Sequence, residues 1–207
     1  MNSDPAPLLV GSFVQLEPLS LDHVHQLVVA ANENRTTFAW TTVPDAVSTM
    51  RSYVANLLAD AASGGVMPFV QRRLTDQRVV GCTRYLEIRR WSGAEHPDEV
   101  EVGGTWLALS AQRTAINTEA KYLLFEHAFE TWEVQRLAIC TDARNVQSRA
   151  AIERIGGSFE GILRNHRASA APGEVGLARQ TAAYSILPDE WPAIKVILRG
   201  RLYGDEL

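Results

Sequence analysis

The hydrophobic positions of this chain follow a strand period in some stretches and a helix period in others. Alternating or continuous apolar runs predict strands at residues 13–18, 67–73, 79–88, 100–109, 136–141, 158–164 and 180–186. Apolar residues spaced three and four apart predict helices at residues 20–31, 46–62, 119–132, 145–155 and 188–202. No internal repeat and no linker divides this series. The chain is therefore predicted to be one domain, residues 1–207, with loose tails at 1–11 and 203–207.

The most informative stretch runs from Thr105 to Gly156. A predicted strand there leads into a polar turn, residues 112–118, which opens the helix that begins at Glu119. Asn117 or Thr118 can cap that helix. The start of a helix presents unpaired backbone N–H groups and the positive end of the helix dipole. We therefore predict that residues 112–118 bind an anion.

Several short motifs resemble one enzyme family over nearly the whole chain. They are Gln112-x-x-Ala115-x-Asn117, Asn145-x-x-Ser148, Glu101-Val102-Gly103-Gly104-Thr105-Trp106, Glu160-Gly161-Ile162-Leu163-Arg164 and Tyr184-Ser185-Ile186-Leu187. Together they resemble the GNAT superfamily of acyl-CoA-dependent N-acyltransferases, and within it the ribosomal-protein N-terminal (RimJ/RimL-like) acetyltransferase branch. The resemblance implies an α+β fold. Its central sheet would be mixed and mostly antiparallel, with a splayed parallel strand pair and helices on both faces.

The resemblance also implies acetyl-CoA as cosubstrate and a set of residues that hold it. Its diphosphate would lie on the turn formed by Gln112, Arg113, Thr114, Ala115, Ile116, Asn117 and Thr118. Backbone groups of Leu107 and Leu109, with the side chain of Asn145, would bind the pantetheine arm. The family usually has glycine where this chain has Ala115 and Asn117. Either the loop still binds, with added side-chain hydrogen bonds from Asn117 or Thr118, or the cofactor site has been lost.

Amide formation from a thioester needs a neutral amine, a polarised carbonyl and a proton for the departing thiolate. Glu101 occupies the place of a carboxylate in related acetyltransferases and is the candidate base. Glu99 would share its face of the strand and bind the amine, although both carboxylates can equally be a solvated strand start. The family tyrosine that protonates the thiolate is replaced by Ile152. Ser148 is then the candidate acid, or simply a helix serine that bonds to the backbone.

Aromatic residues provide candidates for the acceptor cleft. Trp40 lies in a polar stretch, and Phe38, Tyr85 and Trp106 are further candidate walls, although aromatic side chains are more often core. The five histidines have neither the spacing nor the acidic companions of a metal site, so no metal is predicted.

Composition narrows the partners and the compartment. A formal net charge of -4 and a pI near 5.7 argue against nucleic-acid binding and favour a cationic amine. Cys82 and Cys140 both fall in predicted strands, where core thiols in a reducing cytoplasm are expected. No secretory start and no membrane-length apolar run are present. Apolar residues on the last predicted helix, which include Trp191 and Ile197, can cover the sheet or a second subunit, so a homodimer is one option.

The leading hypothesis is an acetyl-CoA-dependent N-acetyltransferase in which a bound amine attacks the thioester directly. The branch implies a protein N-terminal α-amine as acceptor. A small amine, a polyamine or an amino-sugar antibiotic remains an alternative, because fold and cofactor site do not fix the acceptor. The altered loop and the missing tyrosine also allow a non-catalytic acyl-CoA sensor, and a protein-interaction module without a nucleotide ligand is a third option.

Overall fold

One eight-stranded sheet runs through residues 6–204, the part of the chain that this computed structural model describes. The strands are β1 (Leu9–Val10), β2 (Val14–Pro18), β3 (Val66–Arg73), β4 (Val79–Arg89), β5 (Glu99–Leu107), β6 (Arg136–Asp142), β7 (Ser158–Ala168) and β8 (Ala178–Ile186). The helices are α1 (Val24–Ala31), α2 (Val47–Ala62), α3 (Ala115–Glu130), α4 (Val146–Arg154) and α5 (Trp191–Tyr203). Short 3₁₀ turns cover Leu21–His23, Arg35–Thr37 and Leu109–Ala111.

The sheet has the order β1-β2-β3-β4-β5-β6-β8-β7, and only the β5–β6 neighbours are parallel. That parallel pairing ends at Glu101 opposite Ala138, although β5 continues to Leu107 and β6 to Asp142. The two strands therefore diverge in the middle of the sheet. This arrangement confirms the predicted fold class with its splayed parallel pair.

Helices cover both faces of the sheet, as predicted. Thr83 and Arg84 are adjacent in β4, so their side chains point to opposite faces. Thr83 Oγ1 accepts a hydrogen bond from Lys121 Nζ of α3 at 3.0 Å, whereas Arg84 Nη1 donates to Tyr53 Oη of α2 at 3.4 Å. Helices α2 and α3 thus lie on opposite sides. The largest fully buried side chains include Tyr85, Tyr184, Phe69, Phe125, Leu16 and Leu137.

Several predicted boundaries need correction. The predicted tail at residues 1–11 is wrong at Leu9–Val10, which pair with β2, while residues 1–5 lie outside the described part. At the other end Tyr203 still belongs to α5, and residues 205–207 lie outside the description. The strand predicted to reach residue 109 ends at Leu107, because the chain then turns into a 3₁₀ helix.

The length and apolarity of the helices bear on membrane insertion. Between residues 6 and 204, none of them combines the length and the apolarity needed to cross a bilayer.

Candidate active site

A cavity of about 760 Å³ opens where β5 and β6 diverge. Its walls come from the last residues of β5 and β6, the first turns of α3 and α4, the ends of β7 and β8, and the segment around Trp40. Separated strand edges leave backbone groups unpaired, so a ligand that enters here can hydrogen-bond to the main chain. This cavity is therefore the candidate active site.

The start of α3 forms one end of this cavity and differs in detail from the prediction. The helix begins at Ala115 rather than Glu119, because the Thr114 side chain caps it and accepts a hydrogen bond from the Ile116 N–H at 3.3 Å. Neither Asn117 nor Thr118 is the cap, and both lie in the first turn. The backbone N–H groups of Ala115 and Asn117 have no partner among residues 6–204.

The missing glycines are not an obstacle to this backbone. Ala115 and Asn117 are helical and have negative φ, so a side chain at either place costs no conformational strain. The left-handed residue of the turn is Arg113, with φ of 58°. An arginine in this conformation is strained by roughly 1–3 kcal/mol. Its side chain lines the cavity beside the unpaired amides.

The remaining cofactor candidates divide into two groups. Gln112, Arg113, Thr114, Asn117, Thr118, Leu107 and Asn145 all line the cavity. Ile116 is buried in the core, Ala115 does not line the cavity, and Leu109 lies on the exposed 3₁₀ turn outside it. The pantetheine assignment of Leu109 is therefore wrong, because β5 ends two residues earlier.

Leu107 has the orientation that a ligand between the strands requires. The Ala108 N–H donates to Val80 of β4 at 2.7 Å. Because backbone groups of successive strand residues point to opposite edges, the peptide groups of Leu107 face the gap toward β6. Its carbonyl accepts from Gln112 Nε2 at 3.0 Å, which fixes the turn against the strand.

Asn145 and Ser148 lie together at the start of α4. Asn145 is the N-cap, and its Oδ1 accepts a hydrogen bond from the Ser148 N–H at 3.0 Å. The Ser148 hydroxyl lines the cavity and has no hydrogen-bond partner among the described residues. Ile152 lines the same wall one turn later. The serine is thus placed to donate a proton into the cavity.

Glu101 lies in the cavity at the point where the parallel pairing ends. Its carboxylate is 5% exposed and forms a two-point ion pair with Arg167, at 2.9 Å (Nη2 to Oε2) and 3.3 Å (Nη1 to Oε1). It is not a solvated strand start. Glu99 does not line the cavity and pairs instead with Arg136 at 3.3 Å and Arg89 at 3.5 Å. The predicted pair of cleft carboxylates therefore does not form, because surface arginines hold Glu99 on the paired part of β5.

Two of the aromatic predictions fall on opposite sides of the sheet. Trp40 lines the cavity, and the guanidinium carbon of Arg144 stacks 4.7 Å from its ring centroid. Tyr85 does not, so its assignment to the acceptor is wrong. Its side chain points to the α3 face, where it is fully buried and its hydroxyl donates to the Leu124 carbonyl. Phe38 and Trp106 line the cavity and meet edge to face at 5.9 Å.

The side chains that line the cavity carry a net positive charge, whereas the whole chain has a net negative charge. Six basic side chains face the cavity against two acidic ones, whereas the whole chain carries -4. The basic residues that the sequence did not predict are Arg84, Lys121, Arg154, Arg167 and Arg179. The net charge of the chain therefore does not predict the charge of the cavity, because the excess acidic residues lie elsewhere on the molecule.

Comparisons with known proteins agree with this geometry. The family model for the acetyltransferase (GNAT) domain matches residues 14–158. The chain belongs to the GNAT acetyltransferase family. The predicted resemblance to this family, and within it to the ribosomal-protein branch, is confirmed.

Individual relatives extend the similarity. The Bacillus subtilis (strain 168) protein named "Putative ribosomal N-acetyltransferase YdaF" is 36% identical over 92 residues, which cover 44% of this chain and 48% of that protein. The match thus spans about half of the curated relative. A GCN5-related N-acetyltransferase from Brucella melitensis superposes with a TM-score of 0.84 at 26% identity, covering 100% of this chain and 90% of that one. Mycobacterium smegmatis RimJ in complex with CoA-disulfide shares the fold, with a TM-score of 0.75 at 22% identity over 94% and 93% of the two chains.

The cysteines of this GNAT chain are poor nucleophiles. Burial, together with nearby Glu101, raises the pKa of the Cys140 thiol to about 12, so Cys140 is protonated at neutral pH even though it lines the cavity. Burial also raises the pKa of Cys82 to about 12. An acyl-cysteine intermediate is therefore disfavoured. Among residues 6–204, no three His, Cys, Asp or Glu side chains lie together as metal ligands.

Lys121 is a buried amine beneath the GNAT cavity. Its Nζ donates to Thr105 Oγ1 at 2.6 Å and to Thr83 Oγ1 at 3.0 Å, and the two hydroxyls are 2.9 Å apart. Burial without a carboxylate lowers the pKa of Lys121 from 10.5 to about 7. The folded protein therefore carries a cost for this charge.

We expect Lys121→Met to stabilise the protein most at low pH. Below pH 7 the buried amine is charged in the native protein and its desolvation cost is fully present. Between pH 7 and 10.5 the unfolded chain holds a proton that the folded chain has released, so parent stability rises with pH by up to about 1.4 kcal/mol per unit. Urea unfolding from pH 6 to 9.5 should show the advantage of the variant shrinking. A pH-independent difference would contradict this account, and Lys195→Met, at an exposed ion pair, is the control.

Proposed function

We propose that this protein is an acetyl-CoA-dependent N-acetyltransferase that acetylates the N-terminal α-amine of a protein. One observation supports this most directly: Asn117, whose backbone N–H at the start of α3 has no partner among the described residues, and the buried Glu101 line the same cavity. The names of YdaF, as a ribosomal N-acetyltransferase, and of RimJ, bound to a CoA derivative, support the same cosubstrate and acceptor class.

The residues present fit a CoA molecule along the cavity. The amides of Ala115 and Asn117, with the Arg113 guanidinium, would hold the diphosphate. The peptide groups of Leu107 and the amide of Asn145 would bind the pantetheine arm. The thioester then lies toward Glu101, at the other end of the divergent part of β5.

Transfer would proceed by direct attack of the amine. The amine nitrogen forms a bond to the thioester carbonyl carbon, the C–S bond breaks, and the nitrogen loses a proton to Glu101, directly or through water. CoA leaves as a thiolate that Ser148 can protonate. An α-amine has a pKa near 7.7–8.0 and is partly neutral at physiological pH, so modest base assistance suffices. The raised pKa of Cys140 is consistent with a path that has no acyl-enzyme.

We expect Ala115→Asp to abolish acetyl-CoA binding without harming the fold. Ala115 is the first residue of α3, where a carboxylate is favourable to the helix dipole by about 0.3–1 kcal/mol. The same charge would repel the diphosphate at the amides that bind it. Thermal unfolding should show a melting temperature no lower than that of the parent, and calorimetric titration should show a Kd raised more than about tenfold, whereas Ala115→Asn stays near the parent in both measurements. Equal binding by the parent and the Asp variant would place the diphosphate elsewhere.

The proposed activity is tested by CoA release with a panel of acceptors. The panel contains N-terminal peptides, free polyamines and an amino-sugar antibiotic, and Ala115→Asp serves as the inactive control. Turnover with the peptides supports the proposal, and turnover only with a small amine replaces the acceptor. Acetyl-CoA binding without any turnover would indicate a sensor. A cytoplasmic location and a homodimer remain predictions.

A further inference from the structure

Two arginines face each other across neighbouring strands inside the cavity. Arg167 of β7 and Arg179 of β8 are register partners, and both line the cavity. Like charges directly opposite each other on paired strands are destabilising. Such a pair persists when something compensates it.

A carboxylate neutralises the charge of only one of these two arginines. Arg167 is bound by both oxygens of Glu101, while Arg179 Nε donates to the Thr181 hydroxyl at 3.0 Å. No carboxylate lies within ion-pair distance of Arg179 in the described part of the chain. Burial and the charge of Arg167 both lower the pKa of Arg179. Its guanidinium thus faces the cavity at an energetic cost.

A third arginine lies on the same side of the sheet as Glu101. Arg84 is the partner of Gly103 in β4, two residues from Leu86, which pairs with Glu101. Its guanidinium packs on Gly104, where a Cβ would come within 2.4 Å of Cζ, and Gly104 has a φ of 56°. Arg84 Nε is buried without a hydrogen-bond partner, and the described residues include no carboxylate paired with it. The cavity therefore has a second cation that the chain leaves uncompensated.

Some arginines outside the cavity each bind two carboxylates. Arg144 contacts Asp142 and Glu174, and Arg136 contacts Glu99 and Glu160. By contrast, no carboxylate among residues 6–204 forms an ion pair with Arg179 or Arg84, and both arginines line the cavity near Glu101. The diphosphate of CoA does not explain these unpaired charges, because Glu101 and Leu107 are six residues apart along β5, a span of about 20 Å.

We propose that the acceptor carries a carboxylate close to its reactive amine, and that Arg179 and Arg84 bind this carboxylate while the amine lies at Glu101. The inference rests on the proposed acetyltransferase function and narrows its substrate class to anionic α-amines. The carboxylate comes from an acidic residue that follows the N-terminal one, or from the α-carboxyl group of a free amino acid. Both sources present an amine and a carboxylate on one short chain.

The test uses matched acceptors that differ at one position. CoA release is measured with the amidated peptides Ser-Glu-Ala-Ala, Ser-Gln-Ala-Ala and Ser-Lys-Ala-Ala, and with free serine against serine amide. For the parent we expect kcat/KM to favour the glutamate peptide about tenfold over the glutamine peptide, with the lysine peptide slowest. A preference for free serine over its amide, without a preference among the peptides, would assign the carboxylate to an amino acid.

Arginine variants identify the residues responsible. Arg179→Gln should bring the glutamate and glutamine peptides within about twofold of each other, because kcat/KM falls mainly for the glutamate peptide. Arg179→Lys should retain part of the preference, and Arg51→Gln, at an exposed helix position outside the cavity, should retain all of it. Arg84→Gln is the second variant if Arg179→Gln does not fold. An equal loss of rate on every acceptor, or a parent without any preference for an acidic acceptor, would overturn the inference.

A binding measurement separates this inference from the proposed function. Calorimetric titration of the CoA-bound parent with the same peptides needs no turnover. Should the parent acetylate none of the acceptors, the proposed function fails, yet tighter binding of the glutamate peptide that Arg179→Gln removes would still establish the anion site. Equal binding of all three peptides would refute the site by itself.

Discussion

Replacing Glu101 with glutamine is expected to lower kcat at pH 7 by about 100-fold or more while leaving the Kd for acetyl-CoA within about twofold. Glutamine keeps the size of the side chain but cannot take up the proton of the amine. The substitution also removes the negative charge that Arg167 binds in the cavity, so an incoming ammonium group loses its partner. The residues at the start of α3 that are proposed to hold the cofactor are on another element and remain unchanged. Steady-state assays of CoA release measure kcat, and calorimetric titration measures the Kd for acetyl-CoA.

The pH profile distinguishes a base from a merely attractive charge. The residual activity of Glu101→Gln should climb between pH 7 and 9, because the α-amine deprotonates without help in that range. Glu99→Gln, altered outside the cavity, should behave like the parent. The double variant Glu101→Gln/Arg167→Gln removes the uncompensated arginine and should stay slow. Parent-like rates of Glu101→Gln from pH 6 to 9 would rule out Glu101 as the base.

Hydrophobic periodicity predicted seven of the strands and all five α-helices, with most ends within a few residues. It missed β1, because Leu9 and Val10 are too few to show a period and pair with β2 through tertiary contacts. It also placed the start of α3 too late. Ala115 and Ile116 belong to the helix, and the cap is Thr114, whose role depends on a side-chain hydrogen bond that the period does not reveal.

Motif similarity located much of the cavity but not its charge. Glu101, the pair Gln112 and Asn117, and the pair Asn145 and Ser148 come from three separate parts of the chain and meet around the divergence of β5 and β6. The errors at Glu99 and Tyr85 concern which face or end of a strand is open to the cavity. That is decided by the length of the β5–β6 pairing and by pairing irregularities on β4 and β5.

The arginine cluster was missed for a related reason. Arg167 and Arg179 are separated by a loop, and only the register of β7 on β8 places them opposite each other. The predicted strand at residues 158–164 stopped before Arg167, so this register was not visible. Arg84 was hidden in a strand that reads as core. Cross-strand register is a property of the folded sheet, and a single sequence carries little information about it.

Replacing Glu119 with alanine is expected to cost about 3–5 kcal/mol of unfolding free energy. The Glu119 carboxylate is fully buried in α3 and accepts hydrogen bonds from the backbone N–H groups of Ser12, Phe13 and Val14, each at 2.7 Å. Tyr203 Oη of α5 donates to it at 2.8 Å. Burial and the adjacent carboxylate raise the pKa of Tyr203, so the phenol remains a donor. Alanine would leave these three amides, of which that of Val14 is fully buried, without their acceptor.

Urea unfolding at pH 7 measures this cost, and two variants calibrate it. Tyr203→Phe removes one of the four donors and should cost about 0.5–1.5 kcal/mol, while Glu126→Gln, at a half-exposed pair with Lys195, should cost less than about 1 kcal/mol. A loss below 1 kcal/mol for Glu119→Ala would show that water replaces the carboxylate. Because Glu119 follows Ala115 by one turn, its loss should also loosen the start of α3. Acetyl-CoA affinity should then fall together with stability in this variant, whereas Ala115→Asp loses affinity alone.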